Sequence, residues 1–168
     1  MSIPLLTLSS GIAILSYKTI ISPLIKTISD TKSIVSNILT NKVNIGEQLK
    51  ELGFVSKIEI ISLFLFELEN YDNDSDSGQK THFMKTFNAL ITDITSTLEV
   101  MKNNLHSIEN KITYHNSLYF SGWRLLDCEK EFTTLSKYKL ILDDQYETLI
   151  NILLIGKEKK TIITYVRN

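Results

Sequence analysis

Apolar side chains recur at alternating intervals of three and four residues between Met84 and Tyr119, with no proline or glycine in the stretch. This spacing places a single apolar seam along one side of a helix. It predicts a central helix over about residues 81–118, and the Met84–Tyr119 stretch alone is roughly 54 Å long as a helix. The seam positions are Met84, Phe87, Ile91, Ile94, Leu98, Met101, Leu105, Ile108, Ile112, His115 and Tyr119.

The same spacing appears closer to the N-terminus and again closer to the C-terminus, which predicts two more helices that can cover the central seam. Ser22-Pro23 falls within the first pattern and predicts a break or kink there, with a second helix over about 23–41. The first set of positions is Ile14, Tyr17, Ile21, Leu24, Ile28, Thr31, Val35 and Ile38. The second set is Phe132, Leu135, Tyr138, Leu142, Tyr146, Leu149 and Leu153.

Residues 41–70 are predicted to hold a turn and two helices. Gly46 marks the turn, a short helix covers 47–52, and Gly53 ends it. Ser56 and Glu59 have the spacing of a capping box and predict a helix over 57–70. A strand is the alternative, because the segment is rich in Ile and Phe. This helix is apolar on nearly all sides, which predicts a central position among several neighbours.

The remaining segments are a loop and a tail. Residues 71–79 are acidic and short-chained and predict a flexible loop. Asp127 is the expected N-cap of the last helix, and Gly156 is its expected end. For the tail at 156–168, an extended arm, a short strand and a continued helix are all compatible with the sequence.

These patterns together predict an all-α protein. The expected architecture is an up-down bundle of four to six helices around the long central helix, in one domain spanning 1–168. A chain of this length can bury a substantial core.

The most apolar stretch of the chain is 3–25. No positive charge precedes it, so it does not fit a secretory signal peptide. Lys18 and Pro23 interrupt it, so it does not fit a membrane span. A buried core helix is the favoured interpretation. The alternative is membrane contact through the apolar side chains of Leu5, Leu6, Ile12, Ile14 and Leu15.

Charge and cysteine content narrow the function classes. The formal net charge is -1, and the only arginines are Arg124 and Arg167. Nucleic-acid binding usually needs clustered basic residues, so no nucleic-acid partner is expected. The single cysteine, Cys128, rules out a disulfide within the chain and fits a reducing, cytoplasmic environment. The composition is rich in Ile, Lys and Asn and has two alanines, which is typical of an AT-rich genome.

No pattern of catalytic or metal-binding residues is present. None of the three histidines, His82, His106 and His115, is four residues from another, and Cys128 has no obvious basic partner except Lys130. Glycine-rich phosphate loops and hydrolase motifs are absent. No cofactor, metal or small-molecule substrate is therefore predicted, and a non-enzymatic role is favoured. A site assembled around His115 and Cys128 is the enzymatic alternative.

Four aromatic residues and one arginine lie close together in the sequence, where the central helix is predicted to end. They are Tyr114, Tyr119, Phe120, Trp123 and Arg124. Interface hot spots are enriched in Trp, Tyr and Arg, so this cluster is the candidate interaction site. The alternatives are a corner packed against the protein's own helices and a contact with the membrane interface.

The predicted order of elements is an apolar N-terminal helix (Leu5 to Ile21), a long central helix, an aromatic corner and a closing helix. This order resembles that of the HeLo and MLKL-type four-helix domains used in cell-death signalling. The resemblance implies a bundle that associates with membranes through its N-terminal helix. Two functions are therefore expected as alternatives. The first is protein–protein interaction or self-association, and the second is a membrane-associating or pore-forming role.

Overall fold

The computed structural model describes the backbone of residues 9–71, 80–123 and 125–166, and the side chains of most residues in 21–63, 85–122 and 125–154. The described residues form five α-helices and a short 3-10 helix at Ser121–Trp123, with no strand among them. The all-α prediction is therefore confirmed. The α-helices are α1 (Ser9–Asn41), α2 (Val43–Glu51), α3 (Phe54–Tyr71), α4 (Lys80–Ser117) and α5 (Glu129–Val166).

Helix α4 is the spine of the bundle, and its ends lie within one residue of the predicted bounds. Every predicted seam residue from Phe87 to His115 is buried. Tyr119 lies beyond the end of the helix and is exposed, so the seam ends before it. The side chain of Met84 lies outside the described residues. Because α4 packs against both α1 and α5, its seam is covered from within the chain.

Helix α1 runs parallel to α4 in a constant register. Three polar pairs join the two helices, and the members of each pair are 72 residues apart: Thr27 with Glu99, Asp30 with Lys102, and Asn37 with Glu109. The predicted α1 seam is buried at every described position from Ile21 to Ile38. The two long helices therefore pack side by side along much of their length.

Helix α5 runs antiparallel to α4, because Ser107 pairs with Glu131 and Lys111 with Asp127. Helix α3 packs on α1 and also contacts α5. At the contact between α3 and α5, the Lys57 ammonium is 3.1 Å from a carboxylate oxygen of Asp143. The same ammonium lies 4.6 Å from the centre of the Tyr146 ring. Charge and cation–π attraction thus join these two helices.

The expected break at Pro23 is wrong, because α1 continues through it. A proline inside a helix costs about 3 kcal/mol. The buried side chains of Ile21, Leu24 and Ile28 lie on both sides of the proline, and their packing offsets this cost.

The expected roles of three other local signals also differ from the structure. Gly46 lies inside α2, where a Cβ would be only 2.9 Å from the Leu39 side chain of α1, so it permits close packing and makes no turn. Ser56 lies inside α3, which begins at Phe54, so no capping box starts that helix. Helix α5 passes through Gly156 and includes the tail as far as Val166.

The prediction that Gly53 ends the short helix is confirmed. Its φ of 65° is the left-handed conformation that glycine adopts without strain after a helix end. The coverage on nearly all sides expected for α3 is wrong at Ile60 and Leu63, which are 44% and 69% exposed, whereas Phe54, Ile58 and Ile61 are buried.

Some residues of the predicted N-terminal helix and of the predicted acidic loop lie outside the described residues. Leu5, Leu6 and the acidic residues 72–79 lie outside the described residues. Ile12, Ile14 and Leu15 are in α1, but their side chains are not described. Across the part of the chain that is described, no helix combines the length and apolar character needed to cross a membrane.

Candidate interaction surface

The corner between α4 and α5 is built by a defined series of backbone contacts. Helix α4 closes with the Leu118 N–H donating to the His115 carbonyl at 3.2 Å. The Ser121–Trp123 3-10 helix follows, and α5 then begins at Glu129. The Glu129 N–H donates to the Asp127 side chain at 3.0 Å, which confirms Asp127 as the cap of α5.

The aromatic side chains at this corner point into solvent. Tyr114, Tyr119 and Phe120 are 67%, 87% and 75% exposed, and Leu125 is completely exposed. The rings of Tyr119 and Phe120 are neighbours, with centroids 6.3 Å apart and planes tilted by 54°. We call Tyr114, Tyr119, Phe120 and Leu125 the aromatic corner. The alternative of a corner packed against the protein's own helices is wrong for these residues.

The other two predicted site residues, Trp123 and Arg124, belong to the same connection in the chain. The backbone of Trp123 lies in the 3-10 helix, and its side chain is not described. Arg124 lies outside the described residues. The structure thus brings Tyr119 and Phe120 together and places Tyr114 on the adjoining last turns of α4.

Phe120 has an unfavourable backbone conformation. Its φ is +60°, and it is the only non-glycine residue with a positive φ in the described backbone. A bulky side chain in this region is strained, at a cost of about 1–3 kcal/mol. Because the ring is mostly exposed, packing within the chain does not explain why a phenylalanine occupies this position.

A polar network braces the base of the corner. The Lys111 ammonium contacts a carboxylate oxygen of Glu131 at 2.8 Å and donates to the Asp127 carbonyl at 3.0 Å. The Ser107 hydroxyl donates to the second Glu131 oxygen at 3.0 Å. Glu131 is only 7% exposed, so both of its oxygens are satisfied in a largely dry position. We call Ser107, Lys111 and Glu131 the brace.

The ionisation of the brace follows from these contacts. Burial raises the pKa of Glu131, but the hydrogen bonds from Lys111 and Ser107 outweigh it and hold the pKa below its usual range. The hydrogen bond to Glu131 raises the pKa of Lys111. Both groups are therefore charged at neutral pH, and the brace holds the ends of α4 and α5 together.

Sequence reasoning missed the brace. The one feature of the sequence that indicates the brace is the position of Glu131, which falls on the same face of α5 as Cys128 and Leu135. Both of those residues are buried. A carboxylate on a buried helix face requires partners, because burial of an unpaired charge is very costly. Which residues of α4 serve as those partners depends on how the two helices pack.

Cys128, His115 and His106 are the described side chains that the sequence offers for catalysis or metal binding. Burial raises the pKa of the Cys128 thiol, which keeps it in the protonated form that is a poor nucleophile. His115 is buried, and His106 is exposed beside Glu109 at 3.1 Å. Among the described residues, no three His, Cys, Asp or Glu side chains come close enough to hold a metal ion.

Comparison of the chain with protein-family models, with curated protein sequences and with solved structures gives no significant match.

Proposed function

We propose that this chain is a non-catalytic helical-bundle protein that acts by binding a protein partner through the aromatic corner. The observation that carries this proposal is the exposure of three aromatic side chains, with Tyr114 near the end of α4 and Tyr119 and Phe120 just after it. The interior already has a buried seam in α4, so these rings are not needed to complete the core.

The energetics favour a binding role for the corner. Burying one aromatic side chain in an interface contributes about 1.5–3 kcal/mol, so three rings contribute enough for specific recognition. The corner is anchored by a capped helix and the brace, so fewer residues lose conformational freedom on binding. A protein partner with an apolar pocket and a polar rim suits this surface.

The second candidate is association with a membrane surface, which the resemblance in element order suggests. Exposed tyrosine and phenylalanine rings beside Leu125 also suit the interface of a bilayer. However, the chain has a net charge of -1 and so lacks a general attraction to anionic lipid. The protein partner is therefore preferred.

Site-specific photo-crosslinking tests the proposal. A photoreactive residue replaces Tyr119 in one sample and the exposed Asp93 of α4 in a control sample. We expect a protein adduct from position 119 only, and its loss when Tyr114 and Phe120 are also changed to alanine.

Equal adducts from both positions would contradict a binding role for the corner. Sedimentation of the protein with vesicles of neutral and of anionic lipid provides the membrane arm of the test. Lipid binding that depends on Tyr119 and Phe120, with no protein adduct, would favour the second candidate instead.

A further inference from the structure

Helix α3 is covered by its neighbours less completely than α4 is. Its side chains Phe54, Ile58 and Ile61 are buried, but Ile60 and Leu63 are exposed to solvent. Helix α4, in contrast, buries every described residue of its seam within the helix. Helix α3 therefore packs on the bundle with one face and has water on another.

The boundary between α1 and α3 is also incompletely filled. A groove of about 220 Å³ opens between the two helices. Val35 and Leu39 of α1 and Val55 and Ile58 of α3 line it. Protein interiors are packed with few voids larger than a water molecule, and side chains that face a gap lose the dispersion contacts that would hold the two sides together. This boundary therefore resists separation less than a fully packed one.

The residue that precedes α3 is suited to be a hinge. Gly53 has a φ of 65°, and a Cβ built on it would have no atom within 4 Å. Glycine in open space changes its backbone angles at little steric cost. On the other side of this residue, α2 is closely packed on α1, because a Cβ at Gly46 would be 2.9 Å from the Leu39 side chain. Rotation at Gly53 thus moves α3 while α2 stays on α1.

A single ion pair joins α3 to another helix in the described part of the chain. The Lys57 ammonium is 3.1 Å from one carboxylate oxygen of Asp143 and 4.6 Å from the centre of the Tyr146 ring, both on α5. We call Lys57, Asp143 and Tyr146 the clasp. The other Asp143 oxygen contacts Lys139 at 2.8 Å, which is a contact within α5. The Lys57 side chain is 23% exposed, so dissolved salt reaches the clasp.

We infer that α3 is a flap that opens as a unit, hinged at Gly53 and held closed by the clasp, while α1, α4 and α5 stay folded. The flap is independent of the aromatic corner and of any partner bound there. The α1–α4 pair keeps its own buried seam and its polar pairs, such as Asn37 with Glu109, when α3 moves away. Opening exposes the buried side chains of Ile58 and Ile61. The closed flap therefore keeps an apolar surface out of water until the clasp is released.

Amide hydrogen exchange of the whole chain, followed by mass spectrometry of its peptides, tests the flap. Local opening allows one element to exchange while the rest of the structure is intact. We expect the amides of 58–70 in α3 to exchange faster than those of 91–108 in α4 by about tenfold or more, after correction for their intrinsic rates. Equal protection of the two segments would overturn the inference, because α3 would then open only when the whole bundle unfolds.

Three variants test the clasp. Lys57→Met keeps the apolar stem of the side chain and removes the ammonium, and Asp143→Asn removes the opposite charge. We expect each to speed the exchange of 58–70 by about fivefold and to leave 91–108 unchanged, since a partly exposed ion pair contributes little to global stability. Lys139→Gln is the matched control, because it removes the contact of Asp143 within α5 and keeps the one between helices. It should leave the exchange of α3 unchanged.

Salt provides a readout that a purely apolar contact would not give. Raising sodium chloride from about 0.05 M to about 0.5 M screens exposed charges, so it should speed the exchange of 58–70 in the wild type and have no such effect in K57M. Circular dichroism and the unchanged protection of 91–108 check that each variant is folded. The inference is overturned if K57M speeds exchange in all helices alike, if K139Q acts as K57M does, or if the salt effect persists in K57M.

Discussion

Ile112 and Phe120 are eight residues apart and have opposite environments. Ile112 is 2% exposed on the α4 seam, whereas Phe120 is 75% exposed just after the helix ends. Both side chains are apolar, so composition does not distinguish them. The difference is that Ile112 shares the three-four spacing of the seam, which points it toward α1 and α5. Phe120 lies beyond the last helical residue, Ser117, where that spacing no longer determines direction.

The seam and the aromatic corner therefore have different roles. The seam consists of side chains whose removal opens a cavity in the core. The corner consists of side chains whose removal leaves the core unchanged. Substitutions in the seam are therefore expected to lower stability, and substitutions in the corner are expected to lower binding.

The largest effect is expected in the seam, from Leu105→Ala. Leu105 is completely buried in the core of the bundle, so its truncation leaves a cavity and should lower the free energy of unfolding by about 2–5 kcal/mol. Urea denaturation followed by circular dichroism measures the change. The matched control is Tyr119→Ala in the corner, which should change stability by less than about 0.5 kcal/mol. Equal losses for the two variants would remove the distinction between seam and corner.

The brace should give the next largest effect, because it links the interior to the corner. Glu131→Gln keeps the shape of the side chain but removes the charge that Lys111 and Ser107 contact. We expect a loss of about 1.5–3 kcal/mol in unfolding free energy, the usual range for hydrogen bonds to a charged group. Glu129→Gln, at an exposed position two residues earlier, is the control and should be nearly neutral. A neutral E131Q would show that the brace does not stabilise the corner.

The brace also predicts a dependence on pH. Because the folded pKa of Glu131 is lowered, its contribution is present above the unfolded pKa of about 4.3 and is lost as pH falls through the folded value. Because the folded pKa of Lys111 is raised, its contribution is present below the unfolded pKa of about 10.4 and is lost as pH rises through the folded value. Unfolding free energies measured from pH 2 to 7 should fall less steeply at the acid end for E131Q than for the wild type. If the unfolding free energies of E131Q and the wild type fell equally steeply at the acid end, the prediction would be contradicted.

The smallest effect on stability, and of opposite sign, is expected from Phe120→Gly. Glycine adopts a φ of +60° without strain, so the change should leave stability unaltered or raise it by up to about 1 kcal/mol. It should also abolish binding through the corner. Phe120→Ala is the matched variant, because it removes the ring and keeps most of the backbone strain. A clear loss of stability in F120G would show that the Phe120 ring stabilises the fold, as the Ile112 side chain does.

Much of the fold could be predicted from the local spacing of apolar residues in the sequence. Helix α4 was predicted to within one residue at each end because its spacing is regular and no proline or glycine interrupts it. The predicted seam of α1 is buried, and so are Leu135, Leu142 and Leu149 of the predicted α5 seam. The larger rings of that seam, Phe132, Tyr138 and Tyr146, are only partly buried. Predictions based on single residues were less successful, since Pro23 and Gly156 both lie inside continuous helices. A single unfavourable residue costs a few kcal/mol at most, and packing along a long helix can outweigh that cost.

The candidate site was also predicted only in part from local sequence patterns. The amino-acid order alone identified Tyr114, Tyr119 and Phe120 as neighbours at a helix end, because they are close in the chain. Their exposure, the brace beneath them and the parallel register of α1 and α4 depend on residues far apart in the chain, such as Asn37 and Glu109. Local spacing determines which face of a helix is apolar. Only the packing of helices against one another determines which polar side chains meet and which aromatic rings remain in solvent.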